Sequence, residues 1–130
     1  MTLHRAGEDY LKAVYVLQND GGIVHSADIA RKLKLSRASV SRGVRILLEE
    51  GLILMDRDKR LHLTKAGKKR AEQICEKHRV LEAWLIRAGV DAETAEKDAC
   101  GMEHAVSDKS IEALRAQLEE QEAGNDRIYG

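Results

Sequence analysis

The stretch that decides the fold is "IVHSADIARKLKLSRASVSRGVRILLEEGLI", residues 23–53. It holds two helix starts. Ser26 stands before one run of helical periodicity and Ser36 before a second, longer one. Each serine is placed as an N-cap, where a hydroxyl accepts a backbone N–H that the first turn leaves without a partner. Only "KLS" separates the runs, and Gly51 stops the second, as a residue tolerant of left-handed backbone does. Two helices so close, the second longer and richer in Arg and Ser, form a helix-turn-helix pattern.

Working outward, "LILMDRDKRLHLT" follows at residues 52–64. Its apolar ends read as two short strands around the charged tip "DRDKR", a hairpin with Arg57, Lys59 and Arg60 near its end. A basic hairpin directly after a helix-turn-helix makes a winged helix. Upstream, "GEDYLKAVYVLQND" carries Leu11, Val14 and Leu17 at helical spacing and ends in "NDGG". Downstream, Thr64 caps a long helix through about Ala88, which Gly89 ends. Asp91 opens "AETAEKDACGMEHAV" and Ser107 opens "DKSIEALRAQLEEQEA". The closing "GNDRIYG" reads as a frayed tail.

Charge follows the same division. The 130 residues carry 22 Lys and Arg against 22 Asp and Glu, yet Arg31–Arg70 has 13 against 4, while Ala71–Gly130 has 7 against 14. A basic segment beside acidic flanks points to a polyanion-binding unit joined to something else. Arg37, Ser39, Ser41, Arg42 and Arg45 lie in or near the first turns of the second helix, where a recognition helix meets the major groove, with Ser26 and Ser36 at the helix starts. Arg and Ser bond both phosphates and base edges. Val40, Val44, Leu47 and Leu48 recur at core spacing on the same helix. No apolar run is long enough to span a bilayer, and "MTLHRAGEDY" lacks the apolar core of a signal peptide. Two cysteines, Cys75 and Cys100, are too few for a disulfide framework, so a cytoplasmic setting is expected.

The acidic half contains "DACGMEHAVSD", residues 98–108. On a continuous helix Glu96, Cys100, Glu103, His104 and Ser107 would share one face. A thiolate, a carboxylate and an imidazole together can hold a divalent transition metal. One helix rarely completes such a shell. Candidate partners are Asp9 on the first helix and His78 with Glu82, four residues apart on the long helix. The competing reading makes Cys100 a small buried hydrophobe and the Glu-His pair ordinary surface. A metal-dependent hydrolase is disfavoured, because no cleft motif or general base stands beside an open metal position.

From "EDYL" at residues 8–11, through the winged helix and "LTKAGKKRAEQICEKHRVLEAWL", to "DACGMEHAVSD", the chain resembles the DtxR/MntR family of metal-dependent transcriptional repressors over nearly all of residues 4–120. The resemblance implies a mainly α chain: a winged helix-turn-helix DNA-binding domain over residues 1–70, then an all-helical dimerisation and metal-binding domain over 71–122, with a frayed tail over 123–130. It also implies a homodimer that grips a palindromic operator in double-stranded DNA when a divalent metal binds, Fe2+ or Mn2+, with Zn2+, Co2+ or Ni2+ as substitutes in vitro. By position, Asp9, Cys100, Glu103 and His104 look like one metal site. His78 and Glu82 look like a second, with Glu96 where the diphtheria-type members carry a His. The chain departs from the manganese type at Lys12 and Cys100, both carboxylates there, and shares Asp9 with it. The chain is also expected to stop before the C-terminal barrel domain of the longer members. Trp84, Leu85, Ile111, Leu114 and Leu118 are expected at a two-fold interface. The alternative is a metal-independent winged-helix regulator whose Cys and His are structural.

Overall fold

The computed structural model describes the backbone of residues 5–129 and the side chains of residues 5–123. Six helices and one hairpin follow in the order α1 (Arg5–Asn19), α2 (Ser26–Leu33), α3 (Arg37–Glu49), β1 (Ile53–Met55), β2 (Leu61–Leu63), α4 (Lys65–Arg87), α5 (Ala92–Met102) and α6 (Asp108–Tyr129). Two compact units divide between Gln73 and Ile74, inside α4.

The first unit is the winged helix. Leu11 and Val14 of α1, Ile29 of α2, Val40 and Leu47 of α3, Ile53 of β1 and Leu61 of β2 are each at most 1% exposed. Full burial of such side chains is worth about 1.5–3 kcal/mol each before chain entropy is counted, so this shared core holds the unit together. Gly43 lets α1 and α3 approach. A Cβ there would lie 2.0 Å from Cδ2 and Cε2 of Tyr10, whose hydroxyl donates to the Ser39 carbonyl at 3.4 Å. The helix-turn-helix ends as the sequence suggests: Ser36 caps α3, its Oγ accepting from Ser39 N at 3.1 Å, and Gly51 follows at φ 71°. The start of α2 differs. His25, not Ser26, is the N-cap, and its own N–H donates to Asp28 Oδ2 at 2.8 Å. A carboxylate three residues in performs the local bonding expected of the serine.

The wing pairs Ile53 with Leu63, Leu54 with His62 and Met55 with Leu61, antiparallel. Its inner face buries Ile53 and Leu61, and Leu61 N donates to the Val24 carbonyl at 2.7 Å, which ties the hairpin to the segment before α2. Thr64 then caps α4. Its hydroxyl accepts from Gly67 N at 3.0 Å and donates to the Gly51 carbonyl at 2.7 Å.

In the second unit Val80 and Leu81 of α4, Ala99 of α5 and Ile111 of α6 form the core, with Trp84, Val106 and Leu114 packed against it. Trp84 Nε1 donates to the Leu114 carbonyl at 2.9 Å. Ile111 and Leu118, 5% and 4% exposed, are buried within one chain, Trp84, Leu85 and Leu114 are half-buried, and among the described residues of this unit Ile86 and Met102 are the larger apolar side chains left open. A three-helix unit needs its apolar stripes for its own core first. α5 also ends sooner than its periodicity suggests, at Met102, and residues 103–105 turn towards α6. The backbone of α6 continues to Tyr129, past Ala123. Gly130, the end of the tail reading, and the side chains from residue 124 on lie outside the described residues. Among the described residues no helix is long and apolar enough to cross a membrane.

Candidate metal centre and nucleic-acid interface

The candidate nucleic-acid surface consists of α3 and the wing. Burying Val40, Val44 and Leu47 turns the opposite face of α3 outward, so Arg37, Ser41, Arg42 and Arg45 are exposed. Ser26, Ala27, Arg37 and Ser41 line one hollow where α2 and α3 meet. Ser36 and Ser39 serve the helix itself: the Ser36 hydroxyl donates to Ser39 Oγ at 3.0 Å, and Arg42 Nη2 donates to the same oxygen at 3.5 Å. Arg57 and Lys59 stand exposed at the wing tip, while Arg60 pairs with Asp58 at 3.1 Å. Two residues outside the sequence-derived set organise that tip: Asp56 accepts from the backbone of Asp58 and Arg60, both at 2.9 Å, and lies 2.8 Å from His62 Nε2. An aspartate opening a turn and reaching the N–H two residues on is the legible signal for this.

The candidate metal centre lies in the second unit. α4 presents His78, half-buried, and α5 presents Cys100 near its C-terminus. Glu103 is the C-cap of α5, still helical at φ −58° and ψ −25° with its N–H donating to the Ala99 carbonyl at 2.9 Å, so it shares the face of Cys100 three residues before it, and its side chain is 1% exposed. The donor atoms of His78, Cys100 and Glu103 all lie within 4.8 Å of one another. Bonds of about 2.0–2.3 Å to one ion let two ligands stand at most about 4.6 Å apart, so the cluster is near the span that a single ion bridges. A soft sulfur, a borderline nitrogen and a hard oxygen together suit a first-row divalent metal. The donor set therefore fits the metal that the resemblance implies.

The grouping cuts across the two sites read from sequence. His78 stands with Cys100 and Glu103, its Nδ1 at 3.4 Å from Glu103 Oε1, and its Nε2 lies 3.5 Å from Glu82 Oε2. His104 follows in the turn, half-buried, and Glu96 is exposed one turn before Cys100. Asp9 and Lys12 belong to α1 of the first unit, half-buried there. Lys77, which sequence reasoning passed over, anchors the turn: its ammonium donates to the Val106 carbonyl at 2.7 Å and pairs with Asp108 at 3.0 Å.

A winged helix-turn-helix joined to a helical unit with a Cys–His–Glu donor cluster defines a metal-binding, DNA-binding regulator. Residues 2–61 match the family model of the iron dependent repressor N-terminal DNA-binding domain, and residues 64–124 match that of the iron dependent repressor metal-binding and dimerisation domain. The chain belongs to this iron-dependent repressor family, the DtxR/MntR group of metal-dependent transcriptional regulators. It is 34% identical over 108 residues to the transcriptional regulator MntR of Escherichia coli O6:H1, which covers 83% of this chain and 70% of that protein. It is 33% identical over 107 residues to the HTH-type transcriptional regulator MntR of Bacillus subtilis, covering 82% and 75%. Among solved structures, the manganese regulator SloR is similar with a TM-score of 0.79 and 35% identity over 92% of this chain, which spans 55% of the length of the SloR chain.

Proposed function

We propose that this chain is a metal-responsive repressor in which a divalent transition metal held by His78, Cys100 and Glu103 tightens the binding of a winged-helix dimer to a palindromic operator. The single observation that supports it best is the convergence of those three donors across α4 and the end of α5. When bound, the metal would supply a fixed positive centre that neutralises the buried carboxylate and cross-links its ligands. The rest is the work of the chain. Glu103 and Cys100 sit at the end of one helix and His78 on another, so closing the cluster sets the angle between the two. In a dimer that angle bears on the distance between recognition helices, and half-sites about one DNA turn apart tolerate little error in that distance. Removing this freedom before DNA arrives lowers the ordering cost of binding. A coupling of about 1–3 kcal/mol is enough for a sensor.

Family position adds His104 and Asp9 to the ligand set, with Glu82 and Glu96 as ancillary donors; those assignments rest on sequence alone. Fe2+ or Mn2+ is the proposed effector. The Cys100 sulfur pulls the preference towards softer ions than an all-carboxylate set would. On the DNA side, Arg37, Ser41, Arg42 and Arg45 would enter the major groove while Arg57 and Lys59 hold backbone phosphates.

The test is duplex affinity at fixed salt against free Fe2+, Mn2+ and Zn2+ and in chelator, for the wild type, His78→Ala and Asp9→Asn. Metal-tightened binding that His78→Ala abolishes supports the proposal. Binding indifferent to chelator would instead establish the metal-independent regulator. An unchanged metal response in Asp9→Asn would remove Asp9 from the ligand set.

A further inference from the structure

The wing tip contains a residue of the wrong charge for its place. A hairpin that meets phosphates should be basic, because each neutralised phosphate releases counterions and adds affinity. Arg57, Lys59 and Arg60 fit that demand, but Asp56 sits at the base of the same tip. Its geometry accounts for it. One carboxylate oxygen, Oδ1, accepts from both Asp58 N and Arg60 N at 2.9 Å, and the other lies 2.8 Å from Nε2 of His62 on the second strand. The Asp56 backbone closes the loop from the other side, its N–H donating to the Arg60 carbonyl at 3.0 Å and its carbonyl accepting from Lys59 N at 3.0 Å. Lys59 itself is held at φ 63°, a left-handed conformation that a residue with a Cβ adopts only when its surroundings enforce it. A single carboxylate thus fixes the backbone of the residues that carry the three cations. Asp58, by contrast, accepts through its side chain from the Arg60 guanidinium at 3.1 Å.

We infer that Asp56 is the positioning residue of the DNA-contacting wing, holding Arg57, Lys59 and Arg60 in one presented arrangement while its own charge opposes the polyanion. The inference rests on the wing being a DNA contact, as the proposed function has it. It makes a prediction of unexpected sign. By charge alone, removing any carboxylate from this tip should tighten DNA binding. By positioning, removing Asp56 should loosen it, because a backbone freed in the hairpin must be reordered on the duplex, at about tenfold in affinity per residue fixed.

The experiment measures affinity of the full chain for a mixed-sequence duplex at several salt concentrations. Asp56→Ala is expected to bind about tenfold more weakly, the cost of ordering a single residue. Asp56→Asn retains an oxygen for both backbone N–H groups and is expected to bind at least as tightly as wild type. Asp58→Asn is expected to tighten binding. Tighter or unchanged binding by Asp56→Ala, or a loss in Asp56→Asn equal to that in Asp56→Ala, would overturn the inference. A combined Arg57→Gln and Lys59→Gln variant separates the two questions: an unaltered salt slope there means that the wing does not meet phosphates, whatever Asp56 does.

Discussion

Nδ1 of His78 lies 3.4 Å from Oε1 of Glu103, across 25 residues of sequence and between two different helices. The carboxylate is 1% exposed. Burying a carboxylate is costly unless it is hydrogen-bonded or its charge is offset, and the same oxygens are hard donors for a cation.

Glu103→Gln should therefore separate metal affinity from folding. The amide keeps the shape and removes the charge, so the metal-free protein should be as stable as wild type or more so. Affinity for Mn2+ should fall by more than the roughly 10- to 100-fold typical of losing an outer-shell partner. Thermal unfolding with and without Mn2+ reads both. Saturation at about 100 times Kd stabilises the wild type by roughly 2.7 kcal/mol, and that increment should vanish in the variant. A retained increment would remove Glu103 from the ligand set.

Lys77→Met should loosen the turn that carries Glu103 and His104. Methionine keeps an unbranched stem of similar length, but the bond to the Val106 carbonyl and the pairing with Asp108 disappear. A charged hydrogen bond of this kind, on a side chain 17% exposed, is worth about 1.5–3 kcal/mol. Denaturant unfolding should show a loss of that order, and Lys77→Arg, whose guanidinium can reach both partners, should recover part of it. No loss in Lys77→Met would mean that the turn holds without this anchor.

Gly43→Ala tests the contact between α1 and the recognition helix. The added methyl would meet the Tyr10 ring at 2.0 Å, so either the ring or the helix must move. Overpacking of this kind costs about 1–3 kcal/mol. Combined with Tyr10→Leu, the cost should shrink, giving a coupling energy of about 0.5–3 kcal/mol in a double-mutant cycle. Strictly additive effects would show that the two residues do not compete for the same space in solution.

Asp28 supplies a pH test. The His25 N–H, followed by the Arg31 guanidinium, holds its carboxyl below the usual 3.8. A folded-state pKa lowered in this way contributes stability that is complete above the unfolded value and fades as pH falls through the folded one. The wild type should lose stability below about pH 4, where carboxylates begin to protonate, with a steeper slope than Asp28→Asn. Equal slopes would show that Asp28 does not contribute to acid sensitivity.

What the sequence by itself determined was local: the serine, threonine and glycine boundaries of α3 and α4, the two strands of the wing, the outward set on α3 and the division into a basic and an acidic half. Such features depend on backbone preferences and periodicities that a few neighbouring residues fully specify. It also supplied Cys100, Glu103 and His104 as a local donor string and His78 as a donor elsewhere. Tertiary structure alone decided how they combine. Helical spacing places Cys100 and Glu103 on one face. Packing in the second unit then brings that face, with Cys100 and the helical C-cap Glu103, to His78 on α4. Asp56 likewise looked like one more charge in "DRDKR" until the hairpin register brought His62 back beside it. Both cases have the same physical reason. Spacing along a chain fixes which residues share a face, but the distance between donors on separate elements is set by how those elements pack, and packing is a property of the whole core.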